Sequence, residues 1–167
     1  MADKRAWGLV TQQPAVVRLD GREEKQMASI HRETVVDVGA DQAWAALRTV
    51  GAAHELFAPV LTDGELNGET RRVRFANGMV VNERIVDVDD GMRRVAYSVV
   101  DAPGLRYHHA SMQVLDEGPN RCRFVWITDF LPPDAGGTLT PLIEAGSTAL
   151  KTNLEAGKPI TAAPQLA

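Results

Sequence analysis

Between Val80 and Ser111 the chain reads VVNERIVDVDDGMRRVAYSVVDAPGLRYHHAS, and groups able to hold or turn over a small molecule recur there at strand spacing. Alternate residues of a strand share a face. Val81, Glu83 and Ile85 fall on one parity of the first run, and Val95, Tyr97 and Val99 on one parity of the second. His109 and Ser111 share a parity in the third. With these parities pointing the same way, one face of the meander combines apolar groups with a carboxylate, a phenol, an imidazole and a hydroxyl. Such a mixture lines small-molecule cavities. An unpaired carboxylate is expensive in a plain core, so Glu83 is the most informative of these residues.

Two readings of Glu83 stand. Either it orients or protonates a ligand inside a pocket, or it pairs with a neighbouring Arg at the sheet edge. The third run also has two readings, with His109 and Ser111 facing inward, or with Ala110, Met112 and Val114 facing inward. Glu83, Tyr97 and His109 are the candidate acid/base residues. His108 and His109 point to opposite faces of a strand and cannot chelate one metal, and no His-x-His or HExxH spacing occurs, so no metal is expected.

His31 shares a parity with Glu33 and is expected at the surface; His54 falls near a cavity mouth. Cys122 shares a parity with Phe124, Trp126 and Thr128, which predicts an inert buried thiol. Arg71, Arg72, Arg74, Arg84, Arg93 and Arg94 alternate with apolar residues and lie among Asp87, Asp89 and Asp90. A solvated outer sheet face is the expectation for them. There is no GxGxxG, P-loop or GxSxG, and no cofactor is expected.

The elements that would position these groups are legible along the chain. Ala28–Val38 is β-branched and alternating, a strand that Gly39 ends. Asp41 is placed to cap a helix over Gln42–Thr49, and a second short helix, Ala52–Phe57, stops before Pro59. Six strands follow, near Val60–Leu66, Arg71–Phe75, Val80–Val88, Arg93–Val100, Tyr107–Asp116 and Arg121–Phe130. Turn-forming pairs such as Asn67-Gly68, Asn77-Gly78 and Asp90-Gly91 separate them. A long helix over Leu139–Ala156 carries Leu139, Leu142, Ile143, Gly146, Leu150 and Leu154 on one face. The economical arrangement is an α+β domain: a seven-stranded antiparallel sheet curved around that helix, with two short helices between strands 1 and 2. Residues 1–26 show no sustained period and read as a flexible extension, apart from a short strand-like run, AVVRL. The domain is expected over 27–157, followed by a fraying tail over 158–167.

The chain resembles the START-like, or helix-grip, superfamily (SRPBCC), and within it the bacterial polyketide-cyclase/dehydratase and lipid-transport group. Asp37–Ala45 (DVGADQAWA) is similar to the family's strand-to-helix entry, NERIVDVDDGMRRVAYSVV to two central strands, and RFVWITDFLPP to the final strand before the C-terminal helix. DAPGLRYHHAS sits where relatives have a ligand-closing loop. Compared with the distantly similar abscisic-acid receptors, Glu83 occupies the pocket-carboxylate position. The pairing lysine has no counterpart near Phe57–Val60, Phe75–Gly78 does not match the gate, and Gly104-Leu105 replaces the latch. The resemblance therefore implies the fold and a hydrophobic cavity, not a hormone receptor.

A ligand site is expected from Val81, Glu83, Tyr97, Val99, His109, Ser111, Trp126, Ile143, Gly146 and Leu150, with Phe75–Val80 and Asp101–Arg106 at its mouth. The expected partner is a small lipid-, polyketide- or isoprenoid-like molecule, held by a carrier, sequestering protein or sensor; a cyclase, aromatase or dehydratase is the alternative. With 18 Lys and Arg against 22 Asp and Glu, the net charge of -4 disfavours the phosphate neutralisation that nucleic-acid binding needs. No apolar run nears the ~20 residues that span a bilayer, and the N-terminus lacks the apolar core of a secretory signal. One cysteine allows no internal disulfide. A cytoplasmic monomer or weak dimer is the resulting expectation.

Overall fold

The protein, a computed structural model, is described here over residues 27–161. The N-terminal extension, with its AVVRL run, and the last residues of the tail lie outside them. Seven strands form one antiparallel sheet: β1 (Ala28–Val36), β2 (Leu61–Asn67), β3 (Thr70–Phe75), β4 (Val80–Asp89), β5 (Arg94–Val100), β6 (Tyr107–Asp116) and β7 (Cys122–Leu131). Their spatial order is β1-β7-β6-β5-β4-β3-β2. From β2 to β7 each strand pairs with the next in sequence, joined by short turns; Gly68 and Gly78 supply the positive φ, +57° and +88°, that two of them require.

This order puts β1 and β2 at opposite edges. The segment between them must cross the whole width of the sheet, and α1 (Ala40–Leu47), a 3₁₀ turn (Val50–Ala52) and α2 (Ala53–Leu56) do so. Ala43, Trp44, Leu47, Val50 and Leu56 are buried along the way. Asp41 does not cap α1, contrary to the sequence reading. The cap position is Gly39, where an added Cβ would stand 2.8 Å from the Pro119 carbonyl oxygen. Asp41 lies in the first helical turn and accepts from Arg93 Nη2 at 2.7 Å.

The last helix, α3 (Gly136–Glu155), begins three residues before the expected start because a 3₁₀ turn, Pro133–Ala135, feeds directly into it. Ile143, Gly146, Ser147, Ala149, Leu150 and Leu154 are its buried residues, and it packs along β1 and against α2. The sheet's concave face supplies Val36, Val73, Ile85, Val95, Val114 and Phe124 to the same core. Full burial of a side chain such as Leu150 contributes about 2–3 kcal/mol. Polar ties fix the helix along its length. Lys151 Nζ donates to the Val35 carbonyl at 3.0 Å, and Asn153 Nδ2 donates to the carbonyls of Leu56 and Ala58 at 2.9 and 2.8 Å. Among the described residues no helix is long and apolar enough to cross a membrane.

Asn153 is the one side chain that bonds α3 to the end of α2. Asn153→Ala should destabilise the fold by about 1–3 kcal/mol, because two partly buried carbonyls lose their donor. Urea unfolding measures this as a lower midpoint with an unchanged slope.

Candidate functional site

The inner face of the sheet is mostly apolar, and its buried ion pair lies between β3 and β4. Arg71 on β3 stands directly opposite Glu83 on β4, and both side chains point inward. Arg71 Nε donates to Glu83 Oε2 at 2.7 Å, with side-chain exposures of only 6% and 10%. Arg71 Nη1 donates to the Val50 carbonyl at 3.2 Å, and its guanidinium carbon lies 5.4 Å from the centre of the Tyr97 ring. Of the two readings of Glu83, the arginine pairing is the one seen, and the pair is interior rather than at a solvated edge. Arg71 is a correction to the outer-face expectation. Its parity partners are Val73 and Phe75, whereas Arg72 and Arg74 are exposed.

Tyr97 is buried beside this pair. Burial above all, and next the Glu83 carboxylate, push its hydroxyl well above the usual phenol range, against the pull of Arg71. The Trp126 indole N–H lies near that hydroxyl without reaching hydrogen-bond geometry, and is buried without a partner.

The third run takes the inverse parity. Pairing of Tyr97 with Ala110 and of Met112 with Trp126 turns His108, Ala110, Met112 and Val114 inward. His109 and Ser111 stand on the outer face, opposite Asp129 and Ile127, so neither reaches the interior beside Glu83 and Tyr97. The physical reason is burial. The inner positions are almost fully covered, and Ala110, Met112 and Val114 fill them without leaving polar atoms unpaired.

The histidine that does face inward is His108. Its Nδ1 accepts from the Val99 N–H at 3.0 Å, beyond the last β5–β6 ladder pair, and its ring tilts against Tyr97 at 5.7 Å. Burial, and then the neighbouring His109, push it down to about 4 against the pull of Asp129, so the imidazole is neutral at pH 7. The adjacency of two histidines signalled that one had to face inward; only the register says which.

An apolar cavity of about 80 Å³ lies between α2, the start of β2, β3 and the N-terminal half of α3. Phe57, Phe75, Met112, Trp126, Leu139 and Leu142 form most of its wall, and Arg71 is its one charged lining residue. Gly146 also lines it. A Cβ there would stand 2.9 Å from the Trp126 ring, so glycine is what lets the indole lie against the helix backbone.

Of the other expected ligand residues, Ile143 and Leu150 are buried on the same helix, and Val81 and Val99 are half-buried on the inner face. Glu83 and Tyr97 meet the cavity through Arg71 rather than lining it directly. Phe75 represents the first expected mouth loop; no residue of Asp101–Arg106 lines the cavity. Phe57, Met112, Leu139 and Leu142 were not singled out for the site. Cys122 is buried, and burial followed by Glu117 and Asp116 raises its thiol, which suits no nucleophile.

Residues 27–156 match the family described as polyketide cyclase / dehydrase and lipid transport. The chain belongs to this family. Similar architectures include an uncharacterised Bacillus thuringiensis protein, 18% identical over 76% of this chain and 98% of that one, with a TM-score of 0.70. The protein XoxI of Bacillus cereus is 19% identical over 76% and 95%, with a TM-score of 0.70. Norcoclaurine synthase of Thalictrum flavum, in complex with dopamine and hydroxybenzaldehyde, is 20% identical over 86% and 98%, with a TM-score of 0.64. At such identities these likenesses establish the helix-grip fold alone. No curated protein matches the sequence. The polyketide cyclase / dehydrase and lipid transport family thus brings to this chain a generic cavity able to take a small hydrophobic molecule.

The site generates two expectations. Arg71→Met should cost about 3–5 kcal/mol by stranding the buried Glu83 carboxylate, and Arg71→Met combined with Glu83→Leu should recover most of that loss. A chemical-denaturation double-mutant cycle reads the coupling. For His108, the folded state holds the imidazole near 4 while an ordinary histidine titrates near 6.5. The unfolded chain therefore takes up the proton first, and stability is complete above 6.5 and falls as pH drops toward 4, by up to about 3 kcal/mol. His108→Asn should flatten that part of the stability–pH curve.

Proposed function

We propose that this protein binds a small, mainly apolar molecule in the cavity between the sheet and α3, as a carrier, sequestering protein or sensor. The observation that carries this reading is the pairing of an apolar wall with one charged residue, Arg71, already neutralised by Glu83. Efficient general acid/base catalysis calls for a group whose pKa is close to the working pH. Tyr97 and His108 are instead displaced away from neutrality in opposite directions, and both are neutral at pH 7. Neither lines the cavity, so neither is in reach to exchange protons with a molecule held there. The domain is proposed to comprise residues 27–157, with the flanking segments outside the binding unit.

A cyclase, aromatase or dehydratase is the second reading. Supporting it are the family's description and norcoclaurine synthase, a synthase with this fold. Turnover through Glu83 would have to use Oε1, since Oε2 is held by Arg71.

An apolar fluorescent dye should bind the wild-type protein. Leu142→Trp, which enlarges a half-buried residue of the cavity wall, should weaken that binding by more than about tenfold while far-UV dichroism stays native. Glu83→Gln separates the two readings. A passive binder should change affinity only modestly, whereas an enzyme using Glu83 as acid or base should lose turnover by about 10²–10⁴-fold. Native dye affinity in Leu142→Trp would remove the cavity from the account.

A further inference from the structure

We infer that the ligand is a neutral molecule presenting a carbonyl oxygen to Arg71, and not a carboxylic acid or an alcohol. This deepens the reading above and rests on the cavity being the binding site. A guanidinium carries five N–H groups. Arg71 directs Nε to Glu83 and Nη1 to the Val50 carbonyl, and its side chain borders the cavity. Trp126, also in the wall, has its indole N–H buried beside the Tyr97 hydroxyl, so the side-chain N–H groups that the wall offers are those of Arg71. No lining side chain carries an oxygen. The side chains of the wall thus offer donors and no oxygen acceptor.

Charge decides between the acceptors that a ligand can bring. The Arg71–Glu83 pair is already neutral in sum and nearly excluded from water. A carboxylate entering beside it would place two anions against one cation, leaving a net negative charge where solvent cannot compensate. An alcohol would bring a hydroxyl hydrogen into a wall with no side-chain oxygen to receive it. A ketone, aldehyde or ester carbonyl brings lone pairs only. It accepts from the guanidinium in a charge-assisted bond and leaves the ion pair intact.

Four aromatic probes of similar size test this: acetophenone, 1-phenylethanol, ethylbenzene and benzoate, each titrated at pH 7 by calorimetry or ligand-observed NMR. Acetophenone should bind about tenfold or more tighter than the other three. In the charge-neutral double variant Arg71→Met, Glu83→Leu, acetophenone and ethylbenzene should bind alike. Benzoate binding as tightly as acetophenone would overturn the charge argument, and equal binding of 1-phenylethanol or ethylbenzene to the wild type would overturn the donor argument. Both failures leave the cavity standing. If no probe binds and an apolar dye also fails to bind, the cavity reading falls and this inference falls with it.

Discussion

The ion pair between Arg71 and Glu83 is the interaction around which the rest of the molecule is organised. Taking each charge out of water costs several kcal/mol, and only good geometry with further hydrogen bonds offsets that cost. Here the offset comes from three directions: the 2.7 Å contact across β3 and β4, the Val50 carbonyl, and the face of Tyr97 on β5. The pair thereby joins the helical crossing to the β3–β4 side of the sheet. It also fixes the β3–β4 register, since a slip of one residue would turn an inward side chain out to solvent.

The second constraint is the close approach of α3 to β7. Gly146 lets Trp126 lie against the helix, where the indole meets Phe57 at 5.6 Å and Phe124 at 5.9 Å. Toward the C-terminus of α3 the interface closes on Leu150 and Leu154, which are buried. Toward its N-terminus Leu139 and Leu142 stand away from full burial and leave the cavity that Arg71 borders. The same helix is thus core at one end and cavity wall at the other. Ligand chemistry and fold stability meet at Arg71, so a change there is expected to disturb both.

The architecture was legible because each element carried its own signal. Alternation marked the strands, Asn-Gly pairs the turns, and a seven-residue spacing such as Ile143 to Leu150 the helix stripe. On β4 and β5 the inward parity was also readable, since Ile85 and Val95 agree with Glu83 and Tyr97. It was not readable on β6, where Ala110, Met112 and Val114 alternate with His109, Ser111 and Gln113, and either set makes a credible inner face. The β5–β6 register settles that choice, and it depends on pairing partners rather than on local composition. Arg71 was missed for a different reason. Alternation already placed it with Val73 and Phe75, but it stood in a run with Arg72 and Arg74 that read as one solvated face. An inward carboxylate on the next strand was the available clue that one arginine had to follow it inside.

The central claim is that an apolar guest enters between β3 and α3 and meets Arg71 and Trp126. Nitrogen-15 NMR of the side-chain N–H groups tests it most directly, because the chain holds only three tryptophans. Trp44 serves as an internal control, since its indole N–H is engaged by Asp90 at 2.9 Å, away from the cavity lining. On titration with acetophenone, the Arg71 Nε–H and Trp126 indole resonances should move together and saturate at one affinity, while that of Trp44 stays fixed. Saturable binding that leaves both Arg71 and Trp126 unmoved would contradict the account.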